Sequence, residues 1–392
     1  MKIALVATEK LPVPAVRGGA IQIYIQSFAP LIAKQYDVTV FSVKDSALPD
    51  QDNVDGIDYI HLEKKDYVSE VAKQLKKEHF DVVHICNRPA WIEMLHNASP
   101  NSSFVLSVHN EMFAAEKITT KKGEQCIQLV DRITTVSDYI ANTICDRFPQ
   151  AREKIETVNS GVDLETYRPP WTDEGHEIRN DMRRDLDLEG KKIILFVGRL
   201  SKVKGPHILL QAIPEIVKSH PEVVAVFVGS KWFGENDVNK YVKFLYTLGA
   251  LYPDNVRFIK FVKPSDIHKL YTMSDVFVCS SQWQEPLARV HYEAMAAGLP
   301  IITTDRGGNS EVIEEGKNGF VIDQFEDAGA YVNKINRLLN DDALRRKIGK
   351  AGRVSAEEHF GWEHVADHLR RVYEKAEQLK GVRNDEKSSG KQ

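Results

Sequence analysis

Cysteine is scarce in this chain: four residues, Cys86, Cys126, Cys145 and Cys279, among 392. No two stand at CxxC spacing, which argues against zinc ribbons and dithiol redox motifs; they read as reduced thiols of a cytosolic protein. Long apolar runs are missing too. The run at 3–7 is too short and too quickly charged for a signal peptide, and nothing approaches the roughly 20 apolar residues of a spanning helix. Basic excess is absent, with 52 Lys and Arg against 56 Asp and Glu, which argues against generic nucleic-acid binding. Neither GxGxxG nor the Gly-Lys-Ser/Thr of a P-loop occurs, which argues against a dehydrogenase and a P-loop NTPase. No His/Cys cluster occurs, so no metal and no cofactor are expected.

What is present is alternation. Strand-like runs at 3–7, 38–43, 59–62, 82–86, 104–109 and 133–136 share the first part of the chain with helical patterns at 21–34 and 68–78. Residues 155–163 close this half. The polar stretch 164–190, with Pro169-Pro170, reads as a linker and the start of a new unit. Strand-like runs resume at 193–197, 223–228, 256–261, 276–279, 301–303 and 320–322. A chain of 392 residues also exceeds the roughly 250–300 at which single cores stop growing. The pattern therefore predicts an α/β protein of two facing, doubly wound parallel-sheet domains, Rossmann-like in character. Their expected spans are 1–165 and 170–358. Ligands of such sheets bind at the carboxyl ends of the strands, here in the cleft between the domains. Helical patterns follow at 327–339 and 342–357. A last one, near 362–379, carries Trp362, Val365, Ala366, Leu369, Val372, Tyr373 and Ala376 as a 3.6-residue stripe. Residues 381–392 are polar and are expected to be a disordered tail.

One stretch, 280–300, organises the rest. Pro286 fits the first position of a helix and Gly298 the residue past its end. On such a helix Glu285 and Glu293 would stand roughly 12 Å apart along the axis, too far to share a proton. That spacing suits a long ligand gripped at two points, with the helix start between them as an anion site. The plain alternative is a capping Glu285 and a solvated Glu293.

Other motifs fall at strand ends. Arg199 and Lys204, in Gly198-Arg199-Leu200-Ser201-Lys202-Val203-Lys204-Gly205, follow the first strand of the second half. Arginine offers a fork for phosphate oxygens and lysine a point charge; both could equally be solvated loop cations. Gly18 and Gly19 after Arg17 could bring backbone N–H groups close to a ligand, or simply make a tight turn. His109 ends the run 104–109, and Asp305-Arg306-Gly307-Gly308-Asn309 ends another. Each signal is weak alone. Together they place cations, N–H groups and carboxylates at the same edge of both sheets.

The set Arg17-Gly18-Gly19, His109, Asn159-Ser160-Gly161-Val162-Asp163, Gly198-Arg199, Lys204-Gly205, Glu285-x7-Glu293 and Gly307-Gly308 resembles the retaining family 4 glycosyltransferases over roughly residues 1–380. The resemblance implies the GT-B fold, with a C-terminal helix at 360–380 completing the first, acceptor-side domain. It also implies roles. Arg199 and Lys204 would hold the diphosphate of a nucleotide-sugar donor, a UDP-sugar, helped by the backbone at Gly18 and Gly19. Glu293 would bind the ribose, Glu285 the donor sugar, and His109 would lie at the reacting sugar. The family pattern after the first glutamate is Pro-Phe/Ser-Gly; here it is Pro286-Leu287-Ala288, which would narrow the donor pocket or alter the backbone there. The implied activity is metal-independent transfer of a hexose, with retention, to a glycan, protein or lipid acceptor. The segment 283–293 also resembles spore coat proteins, implying spore coat or cell-surface glycan assembly, a cytoplasmic protein that joins the coat, and other coat proteins as partners. Two alternatives stand beside this: a non-enzymatic coat scaffold that retains the fold, and a nucleotide-sugar epimerase.

Overall fold

The computed structural model describes residues 1–229, 238–260, 262–263 and 265–389. The chain divides into two compact units, Met1–Gly161 with Trp362–Gln392, and Val162–Gly361.

The first unit carries β1 (Lys2–Val6), β2 (Asp37–Val43), β3 (Gln51–Val54), β4 (Ile57–Leu62), β5 (Val82–Cys86), β6 (Ser103–Val108), β7 (Arg132–Thr135) and β8 (Ile155–Thr157). They form one sheet in the order β3-β4-β2-β1-β5-β6-β7-β8. Every pair is parallel except β3 with β4. β3 is absent from the sequence reading because all four residues are polar or exposed, so no apolar alternation marks it. Alternate residues of β1 serve opposite cores: Ala4 and Val6 pack with Phe41, Phe80 and Phe104, while Ile3 and Leu5 pack with Tyr24, Phe28 and Val105. A sheet buried on both faces explains its continuous apolar runs. The seven-residue stripe from Trp362 to Ala376 lies wholly in the second of these cores.

The second unit carries β9 (Lys192–Val197), β10 (Val223–Val228), β11 (Val256–Ile259), β12 (Val276–Cys279), β13 (Ile301–Thr304) and β14 (Gly319–Ile322). Their order is β11-β10-β9-β12-β13-β14, all parallel. Phe261, the expected end of β11, lies outside the described residues. Among the parallel strands of each sheet the order reverses direction once, between β1 and β5 and between β9 and β12. Ligand sites of doubly wound sheets gather at that point.

Three expectations need correction. The stretch 164–190 is not only linker: Asp173–Asp185 is a helix, capped by the Thr172 side chain and anchored through arginine. Arg179 and Arg183 bind Asp275 at 2.6 and 2.8 Å. Asp275 also accepts the Ile193 N–H at 2.7 Å, fixing the start of β9. Burial pushes the Asp275 carboxyl up, but the two guanidinium groups outweigh it and hold it below its ordinary range. Second, the last helix runs Trp362–Ser389, past the expected start of the tail at 381. No proline interrupts it, and Arg383, Glu386 and Lys387 favour a helix there; residues 390–392 lie outside the described residues. Third, the helix expected from Pro286 covers only Val290–Ala296.

Candidate functional site

The late start of that helix has a local cause. Glu285 makes a parallel bridge with Gly307, and the Gly308 N–H donates to the Glu285 carbonyl at 2.8 Å. The Gln284 side chain accepts the Gly307 N–H at 2.5 Å, and Asn309 Oδ1 accepts that of Ala288 at 3.2 Å. Residues 284–288 are thus tied to the loop after β13 and cannot coil. Gly307, at φ 61°, leaves no room for a Cβ against the Glu285 backbone. The axial spacing expected for Glu285 and Glu293 therefore does not apply, and Glu285 stands in a loop, not at a helix entrance. Ala288 is outside the left-handed region, so an ordinary L-residue fits there, and Leu287 is buried in the core.

Glu285 is 3% exposed. Its Oε1 takes the Lys204 ammonium and the Ser281 hydroxyl, the latter at 2.7 Å. Lys204 reaches it because the turn after β9 is stitched to the segment after β12. Ser280 Oγ donates to the Gly205 carbonyl at 2.9 Å, and the Gln282 N–H to that of Val203 at 2.8 Å. Gly205, at φ 66°, opens the helix Pro206–Ser219, and a Cβ there would collide with the Ser280 carbonyl. Lys204 Nζ lies 5.9 Å from the Trp283 ring centroid. An ammonium has three donors, so the carboxylate leaves others for a ligand. Arg199, half-buried, follows the same strand.

Glu293 lies within the short helix. Its Oε2 accepts the Tyr271 hydroxyl at 2.8 Å, and its Oε1 is 3.6 Å from Arg289 Nη2. Beneath the motif His291 is fully buried. Its Nδ1 donates to the Ala288 carbonyl at 2.8 Å, so Nε2 accepts from the Thr303 hydroxyl at 2.7 Å. Burial lowers the His291 pKa to about 4.

The first unit collects a different set. His109 follows β6; its N–H donates to Asn87 Oδ1 at 3.0 Å, and its ring meets Tyr24 edge-on at 4.7 Å. Burial lowers its pKa to about 4, so it is neutral at pH 7, and its Nε2 is buried with no hydrogen-bond partner. Gly18 and Gly19 precede the helix Ala20–Ala33, and Gly18 has open space where a Cβ would stand. Arg17 is spent on Asp45, with two bonds of 3.0 Å. Sequence reading missed Glu9 and Arg88, a bidentate pair at 2.7 Å joining the loops after β1 and β5. It also missed Ser281 and Tyr271. Strand-end position could have flagged Arg88; nothing short of the fold pairs it with Glu9.

Asp50–Asp52 and Asp185–Asp187 stand at Asp-x-Asp spacing, and all four residues are exposed. Among the described residues no group of three or more His, Cys, Asp or Glu could hold a metal ion, and no helix is long and apolar enough to cross a membrane.

A chain with two doubly wound α/β units and a buried Lys–Glu pair at a strand-order reversal matches a known architecture. The family model for glycosyl transferases group 1 matches residues 178–355, and that for Glycosyltransferase Family 4 matches residues 18–166. The chain belongs to this glycosyltransferase family, and its fold is GT-B. It is similar to spore coat protein SA of Bacillus subtilis, at 63% identity over 375 residues, covering 96% of this chain and 100% of that one. Among solved structures, Anabaena HepE in complex with UDP matches with a TM-score of 0.73 at 21% identity, covering 95% of this chain and 98% of HepE. HepE has also been solved with UDP-glucose, and matches there with a TM-score of 0.71 at 21% identity over 95% of this chain and 99% of HepE. Sucrose-phosphate synthase of Thermosynechococcus elongatus matches with a TM-score of 0.76 at 21% identity, over 97% of this chain and 100% of that one.

Proposed function

We propose that the chain moves a hexose from a UDP-sugar to a glycan, protein or lipid acceptor, with retention of configuration and without a metal, in spore coat or cell-surface glycan assembly. The observation that carries this reading is the buried Lys204–Glu285–Ser281 cluster where the second sheet reverses its strand order. Removing two charges from water costs more than a scaffold needs to spend, so a pair kept at 4% and 20% side-chain exposure points to a ligand. Lys204 and Arg199 meet charge that develops on the departing diphosphate, a fixed electrostatic stabilisation. Gly18 and Gly19 lend backbone donors. Glu293 takes the ribose diol, Glu285 the sugar hydroxyls, and neutral His109 the reacting sugar. Leu287 and Ala288 narrow the donor pocket. The complex of HepE with UDP supports a uridine nucleotide as the donor's carrier. The protein acts in the cytoplasm and joins the coat alongside other coat proteins, a reading whose coat part is supported by the name of its Bacillus relative, spore coat protein SA.

That name also favours a second reading, a coat scaffold that keeps the fold without activity. One experiment separates the two. Charged hydrogen bonds contribute about 1.5–3 kcal/mol, so Glu293→Ala should weaken UDP binding roughly 10- to 150-fold. Glu285→Ala should leave UDP affinity within a few-fold and cut turnover heavily, because a misplaced anomeric carbon is costly. Calorimetry, with melting curves to control for folding, reads both. Normal UDP binding and normal transfer in both variants would end the functional reading of this stretch; no UDP binding and no transfer by the wild type would favour the scaffold.

A further inference from the structure

Glu293 is held from two sides. Tyr271, on the helix Ile267–Met273, is fully buried between Tyr167 and Phe277, with ring centroids 5.7 and 5.5 Å away. Its hydroxyl donates to Oε2 of Glu293 at 2.8 Å. Arg289 approaches the other oxygen, its Nη2 3.6 Å from Oε1. Arg289 Nε and Nη1 are buried and have no hydrogen-bond partner, so Glu293 is its ion-pair partner. A carboxylate accepts about four hydrogen bonds. With one partner on each oxygen, its plane is fixed and the remaining lone pairs have a set direction. Glu293 keeps 15% side-chain exposure, enough for a ligand to reach it. Burial, and then the nearby Glu293 charge, push the Tyr271 phenol well above its ordinary range, so it stays a donor.

We propose that Tyr271 and Arg289 are positioning residues that orient the Glu293 carboxylate to accept the cis-diol of a nucleotide ribose, and so set the preference for ribose over deoxyribose. This rests on the reading of Glu293 as the ribose-binding residue. A packing role for Tyr271 would affect every ligand alike; an orienting role touches only ligands with the diol.

The test titrates the full chain with UDP and with 2′,3′-dideoxy-UDP by calorimetry. The variants are Tyr271→Phe, Arg289→Met and Glu293→Gln, with melting curves for each. Loss of the set carboxylate orientation in Tyr271→Phe should weaken UDP binding about 3- to 10-fold. Dideoxy-UDP should bind within about twofold of its wild-type affinity, because it makes no bond to Glu293. Arg289→Met should act in the same direction, and it carries the test if the phenylalanine variant does not fold. Equal losses for both nucleotides, or none, in Tyr271→Phe and Arg289→Met would overturn the inference. If Glu293→Gln also keeps the wild-type preference for UDP over dideoxy-UDP, the ribose reading itself falls.

Discussion

The two sheets treat the group central to each candidate site differently. After β9 and β12 the charged groups are paired with each other, Lys204 with Glu285 and Arg289 with Glu293, and the Tyr271 hydroxyl also binds Glu293. After β6 the central group is left without a side-chain partner, with His109 neutral and its Nε2 buried and unpaired. Pairing holds side chains in register and keeps a site rigid. An unpaired nitrogen in a dry setting costs stability, and that cost is tolerated where a substrate can supply the partner. The second unit thus has the character of a preformed nucleotide site, and the first that of a site completed by its substrate.

The contrast can be broken most sharply at Lys204. Lys204→Met should cost about 3–5 kcal/mol of stability, because Glu285 is left charged and buried, and should cut turnover at least 100-fold. Adding Glu285→Gln should restore most of the stability, read by urea melts, and none of the turnover. Recovery of turnover in the double variant would show the pair to be structural.

A smaller effect separates stability from chemistry by pH. The folded-state pKa values of His84, His109 and His291 lie at about 3, 4 and 4, below the unfolded value near 6.5. Burial is the first cause in each. Unfolding therefore takes up protons below pH 6.5, and stability must fall as pH drops from 6.5 towards 4. Each histidine contributes up to about 1.4 kcal/mol per pH unit in that window. Urea melts at pH 6.5 and 5.0 measure it, and His109→Gln should make the slope shallower. Turnover at pH values where the protein stays folded should show no transition near 6.5 from His109. Such a transition, lost in His109→Gln, would mean that this nitrogen is more accessible than its burial implies.

Arg17→Ala should give the smallest effect. Its pair with Asp45 is screened by water, so the change should leave the melting temperature close to that of the wild type and turnover within about a few-fold. A large loss would bring Arg17 into the site.

Strands such as Val82–Cys86, Val223–Val228 and Val276–Cys279 were legible to the residue, because β-branched runs buried on both faces leave a continuous apolar signature. The strand Gln51–Val54 was not, since its pairing to β4 is set by neighbours and not by its own polar residues. The helix Asp173–Asp185 was hidden for the opposite reason: charge, not apolar periodicity, anchors it. The stretch 280–300 does hold a helix closed by Gly298, but it starts at Val290 and not at Pro286. Pro286 and Gly298 give sound local signals, and the tertiary bridge of Glu285 to Gly307 overrides the first of them. The mutual pairing of Lys204 with Glu285 lies 81 residues apart in sequence, beyond any local pattern.

Trp283 lies beside these charges, 38% exposed and within 5.9 Å of the Lys204 ammonium. The position makes it an optical probe built into the chain. A cation over an indole is held by the ring's own field, and a diphosphate that draws the ammonium away changes what the excited ring senses. Emission from Trp283 should therefore report occupancy without a label. Trp91, 5.5 Å from the Arg88 guanidinium, offers a second signal in the other unit, so the two halves of the molecule can be watched separately in one cuvette by replacing one tryptophan at a time.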